Sequence, residues 1–123
     1  MAKLSFKSAS GTSFHDTVIT CSYNQLVQAI GVPQSSDNTG EDKVNFDWTC
    51  ELNDGRVFTI YDWKEYRPIG KDEIIEWHIG GNNHIVTEQA LIELTALLAQ
   101  QYSFYYIKKY NPTGVSQRPP VLG

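Results

Sequence analysis

The stretch from Val44 to Leu52 constrains the fold more than any other, because apolar and polar residues alternate along it without a break. A period of two is typical of a strand with one buried face. The residues expected on that face are Val44, Phe46, Trp48, Cys50 and Leu52. Asn53-Asp54-Gly55 follows, and it supplies the positive φ angles that a tight hairpin requires. A two-residue turn at Asp54-Gly55 would pair Trp48 with Tyr61 and place both in the core.

Two helices are expected to accompany this hairpin. Ser22 and Gln25 match a capping box for the first helix. The second helix is expected to start near Thr87, whose hydroxyl can cap it, and to carry an apolar stripe on one side. The stripe consists of Leu91, Leu94, Thr95, Leu98 and Tyr102. We therefore predict an α+β fold, an antiparallel sheet of four to six strands with two helices, the longer packed across one face.

With 123 residues the chain is long enough for one hydrophobic core, and we expect a single domain over residues 1–110. Residues 102–110 (YSFYYIKKY) fit either the end of the second helix or a final strand. Residues 111–123 contain three prolines and two glycines, and they are expected to form an extended arm. Because these two segments expose much aromatic surface, we expect a homo-oligomer with both at the interface.

Composition excludes several classes of partner. The net charge of −4 argues against binding of duplex nucleic acid, which requires a broadly positive face. No apolar run approaches the roughly 18 residues of a membrane span, and the polar sequence after Met1 does not resemble a signal peptide. Two cysteines, Cys21 and Cys50, do not make a disulfide framework. A cytoplasmic protein with reduced thiols is expected.

The sequence contains no familiar catalytic constellation. No Gly-x-Ser-x-Gly elbow surrounds a serine. His15, His78 and His84 come without an HExxH or paired CxxC motif, and alternation directs His78 and Trp77 to opposite faces of one strand. We therefore expect no catalytic residues, no metal site, no cofactor and no enzyme activity.

Residue chemistry favours a binding site at the end of the return strand and at the turn Gly80-Gly81-Asn82-Asn83. An exposed aromatic ring stacks a nucleobase with about 1–3 kcal/mol per base, and a nearby cation contacts phosphate. Trp63 or Tyr66 would stack the base, whereas a basic side chain (Arg56, Lys64 or Arg67) would contact phosphate. The turn resembles an anion-holding loop, with Asn82 or Asn83 reading a base edge, although a plain strand-to-helix connection is the alternative. The candidate ligand-binding residues are Arg56, Trp63, Lys64, Tyr66, Arg67, Asn82 and Asn83.

Four motifs within residues 20–100 resemble those of small accessory proteins of tailed bacteriophages. They are Ile30 to Pro33, Asp42-Lys43 with Trp48, Asp54 to Lys64 (DGRVFTIYDWK) and Glu76 to Gly81 (EWHIGG). Among such proteins the chain resembles the first Thoeris anti-defence family, whose members sequester a cyclic ADP-ribose isomer, and in some cases cyclic oligonucleotides, without cleaving them. The resemblance implies a phage anti-defence protein that binds a small nucleotide signal in the cytoplasm of the infected bacterial host.

The alternative is a phage inhibitor that binds a host defence protein directly. The two hypotheses differ in the surface they require. A concave pocket with arginine or lysine favours a nucleotide, whereas a flat apolar patch rimmed by aspartate and glutamate favours a protein partner.

Overall fold

In a computed structural model the chain forms one antiparallel sheet with helices packed against it. The structure describes the backbone of residues 1–110 and the side chains of residues 1–101. The strands are β1 (Lys3–Leu4), β2 (Ser13–Cys21), β3 (Ser35–Ser36), β4 (Phe46–Glu51), β5 (Val57–Tyr61) and β6 (Ile75–Gly81), and the helices are α1 (Tyr23–Ile30) and α2 (His84–Tyr110). The strand order is β1-β4-β5-β6-β2, with β3 also paired to β4. The predicted α+β fold is confirmed, with six strands and with α2 packed against the sheet.

Local sequence signals explain where both helices begin. The capping box of α1 is present, since the Ser22 side chain accepts from the Gln25 N–H and the Gln25 side chain accepts from the Ser22 N–H. Helix α2 begins at His84, three residues before the predicted Thr87. The reason is that Asn83 caps it, because its Oδ1 accepts from the N–H of Val86 at 3.0 Å.

Helix α2 continues to Tyr110, so residues 102–110 are helical and do not form a strand. The arm predicted for residues 111–123 lies outside the described residues. In the part of the chain that the structure describes, no helix is long and apolar enough to cross a membrane.

The hairpin between β4 and β5 is one residue out of step with the predicted register. The N–H of Leu52 donates to the Arg56 carbonyl at 2.8 Å, so the loop has three residues and ends on Gly55 at φ +89°. Trp48 therefore pairs with Ile60, and Tyr61 pairs with Asp47. The prediction that Tyr61 faces the core is wrong, since a shift of one residue moves a side chain to the other face of the sheet.

The core lies between the sheet and the two helices. The alternation predicted for β4 is confirmed, because Phe46, Trp48 and Cys50 are at most 2% exposed. Trp48 meets Trp77 of β6 edge to face, with ring centroids 5.3 Å apart. Both cysteines are free and buried, and burial raises the pKa of the Cys21 thiol to about 12. Inert, protonated thiols follow from this burial.

The second face of the sheet carries no helix within the described residues. Residues 5–12 cross this face, because they connect β1 and β2 at the two ends of the strand order, and Ala9 and Thr12 lie over Thr59 and Tyr61. We call this segment the crossover. Lys7 fixes it to the hairpin tip by donating to the Gly55 carbonyl at 2.8 Å. We call this second face the open face.

Candidate functional site

Four rings gather on the open face and form what we call the aromatic face, namely Phe14, Tyr61, Trp63 and His78. Phe14 stacks on His78 with ring centroids 4.0 Å apart and an interplanar angle of 16°. Tyr61 stands edge-on to His78 at 5.5 Å and to Trp63 at 6.1 Å. These offset and edge-to-face geometries are the favourable ones for aromatic rings. The result is a surface of planar groups on three neighbouring strands and the loop after β5.

An irregularity in β2 brings Phe14 to this surface. Phe14 pairs with Gly80 and Val18 pairs with His78, so β2 contains more residues than β6 between these two pairs. Asp16 lies inside this bulge at φ +65°. A bulge redirects side chains next to it, and here it allows Phe14 to lie against His78.

Trp63 is held at the end of β5 by the residue before it. Asp62 is fully buried, and its carboxylate accepts from the backbone N–H groups of Asn45 and Phe46 at 2.8–3.1 Å. These bonds tie the start of β4 to the residue next to Trp63. They also explain how a carboxylate can be buried, since each oxygen has a donor.

Backbone strain is concentrated around the aromatic face. The non-glycine residues with positive φ in residues 1–101 are Asp16, Lys64 and Tyr66, at +65°, +55° and +51°. All three lie in the segments that place Phe14 and Trp63. Such conformations cost about 1–3 kcal/mol each and tend to occur at functional sites. The N–H of Lys64 donates to the Lys43 carbonyl at 2.7 Å, which helps to hold the Trp63 loop in this conformation.

Two lysines flank the aromatic face. The ammonium groups of Lys43 and Lys64 lie 5.9 Å and 5.5 Å from the centroid of the Trp63 ring, within the range of cation–π attraction. Among the described residues neither ammonium lies within ion-pair distance of a carboxylate, whereas Arg56 and Arg67 both do. Lys43 and Lys64 are therefore the cations available for an anionic ligand on this surface.

His78 is the titratable ring in the aromatic face. Burial lowers its pKa, and the negative charge of Glu76 opposes this shift only in part. The imidazole is therefore neutral at neutral pH, which suits its place between the Phe14 and Trp63 rings.

Beside the aromatic face, a cavity of about 260 Å³ lies under the crossover. Its lining consists of Ala9, Thr12, Ser13, Val44, Asp47, Thr59 and Tyr61. We call it the crossover cavity. Tyr61 belongs both to this cavity and to the aromatic face, so the two form one continuous surface.

Asp47 is the only acidic side chain in the lining of this cavity. Its Oδ1 is shielded from solvent and has no hydrogen-bond partner among the described residues. Burial raises the pKa of this carboxyl, and the charge of Asp62 raises it further. Tyr61, the cross-strand neighbour of Asp47, has a raised pKa for the same two kinds of reason, burial first and the Asp47 charge second. A buried acceptor without a donor is rare in folded proteins, and this one borders an open cavity.

The predicted site residues do not all lie together. Trp63, Lys64, Tyr66 and Arg67 follow β5, while Arg56 precedes it at the hairpin tip. Trp63 lies seven positions after Arg56, which corresponds to about 23 Å of extended chain. Asn82 and Asn83 follow Gly81, which pairs with Phe58 near that tip. The predicted cleft built from Trp63 and the Gly80–Asn83 turn is therefore divided between opposite ends of the sheet.

Both predicted phosphate-binding arginines are engaged elsewhere. Arg56 contacts Asp54 at 2.8 Å. Arg67 forms a bidentate pair of hydrogen bonds with the Glu73 carboxylate, which raises the pKa of the guanidinium. Within the predicted set, Trp63 and Lys64 are the residues that the structure places at the aromatic face, whereas Tyr66 is an exposed neighbour in the same loop.

The turn after β6 has a structural role. Gly80 and Gly81 are part of β6, so they pair with both β2 and β5 rather than forming an anion-holding loop. A Cβ on Gly80 would lie 2.4 Å from the Thr59 hydroxyl, and one on Gly81 would lie 3.0 Å from Val86 and Thr87 of α2. The Oδ1 of Asn83 is occupied in capping α2. The glycines allow close packing, and the plain strand-to-helix connection is what the structure shows.

Sequence reasoning missed five residues of this surface. They are Phe14, Lys43, Asp47, Tyr61 and His78. Tyr61 was recoverable from the hairpin, because a three-residue loop ending in glycine would have paired it with Asp47 on the open face. The bulge that carries Phe14 had no signal in the sequence.

These features define a small α+β domain whose sheet has one face covered by helices and one face bearing stacked rings. Among the described residues, no three histidine, cysteine, aspartate or glutamate side chains are grouped to hold a metal ion. No protein-family model matches this chain, and no curated protein is significantly similar to it.

Proposed function

We propose that this protein binds a cyclic nucleotide signal on its aromatic face and sequesters it without cleaving it. The observation that carries the proposal is the group of exposed or half-buried rings, Phe14, Tyr61, Trp63 and His78, with two available lysines beside it. The signal would be a cyclic ADP-ribose isomer or a cyclic oligonucleotide, as in the phage anti-defence family that the sequence motifs resemble.

Stacking supplies the first part of the binding energy. Trp63 is 41% exposed, whereas Trp48 and Trp77 are 0% exposed. A base stacked on Trp63 would gain about 1–3 kcal/mol. A stable complex requires more than one such contact, and the neighbouring rings supply a second planar surface.

Lysines at the edge of this surface supply the second part. A charge-assisted hydrogen bond contributes about 1.5–3 kcal/mol, so contacts from Lys43 and Lys64 to phosphate would add to stacking. The local positive charge is compatible with a net charge of −4, because a small anion requires only a local cationic pocket. These lysine-flanked rings, with a cavity beside them at Tyr61, favour a nucleotide over the alternative, a host protein bound directly.

Sequestration without chemistry is part of the proposal. The groups at the ligand surface include rings, ammonium groups, one carboxylate and the hydroxyls of the cavity lining, and both thiols are buried in the core. The protein would act in the cytoplasm of the infected host. We also propose a homo-oligomer, because α2 carries exposed apolar residues, Ile85 and Ile92, on its outer side.

Calorimetry with cyclic ADP-ribose isomers and with cyclic di- and trinucleotides tests the proposal. We expect at least one of them to bind with micromolar or tighter affinity. Trp63→Ala should weaken that binding about 5- to 150-fold, the equivalent of 1–3 kcal/mol. Lys64→Ala should weaken it about 10-fold, whereas Arg56→Ala, which removes a cation paired with Asp54 at the far hairpin tip, should leave it unchanged.

Tryptophan fluorescence provides an independent readout, because the other two tryptophans are buried. A stacked base should quench the emission of the wild-type protein and should not quench that of Trp63→Phe. If no member of the panel releases heat or changes the emission, the sequestration proposal fails and direct binding of a host protein becomes the better hypothesis.

A further inference from the structure

We propose that the crossover cavity is a subsite for a guanine base, read by the Asp47 carboxylate. This inference rests on the proposed function and narrows it, since it selects guanine-containing cyclic oligonucleotides among the possible signals. The group recognised would be a flat ring that presents two adjacent N–H donors.

The unmatched acceptor is the first argument. Asp47 lines the cavity, and its Oδ1 has no donor within the described part of the chain. An ionised carboxylate only accepts hydrogen bonds, so the missing partner must be a donor. Because Oδ1 is shielded in the free protein, its contact with a donor in the cavity requires rotation about the last side-chain torsion, which is broad for aspartate.

The size of the cavity is the second argument. Sites for whole drug-sized ligands usually occupy about 300–1,000 Å³, and this cavity has about 260 Å³. It therefore fits one ring of a nucleotide and not a complete cyclic dinucleotide. The remainder of the ligand would extend over Tyr61 onto the aromatic face, where the lysines and Trp63 lie.

The chemistry of the bases selects guanine. Guanine presents N1–H and the 2-amino group side by side, which matches the two oxygens of a carboxylate. Adenine presents its amino group next to ring nitrogens that accept hydrogen bonds, and such a nitrogen would repel the carboxylate. Hydroxyl groups of Thr12, Ser13 and Thr59 also line the cavity, and a hydroxyl can donate to the guanine O6 or N7.

Calorimetry on the full chain with three matched ligands tests the subsite. Cyclic di-GMP, its inosine counterpart, which lacks the 2-amino group, and cyclic di-AMP differ at the edge that Asp47 would read. We expect cyclic di-GMP to bind at least 10-fold more tightly than either of the other two. Asp47→Asn should weaken cyclic di-GMP at least 10-fold and should leave cyclic di-AMP within about twofold.

Glu76→Gln is the matched control, because it removes one negative charge from an exposed position of β6 outside the cavity. It should not change the preference for guanine. A thermal melt of Asp47→Asn confirms that the variant is folded before its affinity is compared.

The two proposals fail in different ways. Binding of all three ligands with equal affinity, or a guanine preference that survives in Asp47→Asn, would overturn the guanine subsite and leave sequestration standing. If cyclic di-AMP and the cyclic ADP-ribose isomers bind but cyclic di-GMP does not, that result would also overturn the guanine subsite and leave sequestration standing. Absence of binding by every nucleotide would overturn both.

Discussion

Two aspartates near the same end of the sheet have opposite environments. Asp62 is fully buried and accepts hydrogen bonds from the N–H groups of Asn45 and Phe46. Asp47 lies on the neighbouring strand β4, and its Oδ1 is shielded from solvent and has no donor among the described residues. The first therefore stabilises the fold, and the second opposes it unless a ligand supplies the missing donor.

Asp47→Asn should make the free protein more stable at neutral pH. Because burial and Asp62 raise the pKa of Asp47, the folded state holds this proton more tightly than the unfolded state. The wild type therefore loses stability as the pH rises from below the ordinary value of 3.8 through the raised pKa. A buried acceptor without a donor costs about 1–3 kcal/mol, and a charged one costs more, so asparagine recovers part of that cost.

Urea unfolding at several pH values between 3 and 7 checks this prediction. The difference in unfolding free energy between Asp47→Asn and the wild type should grow in favour of the variant as the pH rises. A variant that is less stable than the wild type at pH 7 would mean that Asp47 has a structural partner.

Asp62→Asn should have the opposite effect. The substitution removes the charge and one of the two acceptor oxygens that hold Asn45 and Phe46, so we expect a loss of about 1.5–3 kcal/mol. Nucleotide binding should weaken as well, because Trp63 follows Asp62 directly. Equal stability of variant and wild type in urea melts at pH 7 would show that these hydrogen bonds contribute nothing.

At the scale of elements, the sequence was sufficient for the architecture but not for the site. The alternation along β4 and the Ser22–Gln25 capping box were strong local signals, and both are present in the structure. Which side chains lie on the open face depends on two details without such signals. They are one residue of loop length before Gly55 and the irregularity of β2 at Asp16. A shift of one residue exchanges the two faces of a strand, so an error of one residue in the predicted turn placed Tyr61 on the wrong face.

Gly55→Ala tests the backbone conformation of the hairpin turn. Gly55 has φ +89°, and a Cβ there would lie 2.9 Å from the Lys7 ammonium. An alanine in this left-handed conformation should cost about 1–2 kcal/mol. Gly70→Ala is the control, because its Cβ would approach no atom closer than 3.4 Å, and it should be close to neutral. Similar costs for the two variants in urea melts would contradict the left-handed conformation of Gly55.

At the scale of the whole molecule, α2 is apolar on more than one side. Its inner side packs Val86, Ala90 and Leu94 into the core, whereas Ile85 and Ile92 on its outer side are 58% and 62% exposed. Ile85 and Ile92 are seven residues apart, and Ala99 continues this spacing, so the three lie on one side of the helix as an exposed apolar stripe. The same stripe on a second copy would complete a twofold-symmetric dimer.

Light scattering should therefore give a mass of twice 13.9 kDa for the wild type. Ile92→Glu places a charge in the middle of the stripe and should shift the protein to a monomer, while Ile74→Glu, which places a charge at an exposed isoleucine outside α2, should not. A wild-type mass of 13.9 kDa at every concentration would refute the dimer. It would not affect the aromatic face of the single chain.

Recovery of bound ligand tests sequestration most directly. The purified protein is mixed with a twofold excess of a cyclic nucleotide that binds in calorimetry, freed of unbound ligand by gel filtration and then denatured by heat. The account predicts that mass spectrometry of the released fraction finds the intact nucleotide, in amounts close to one per site, from the wild type and much less from Trp63→Ala. A linear or hydrolysed product would identify an enzyme, and an empty fraction from the wild type would contradict the account.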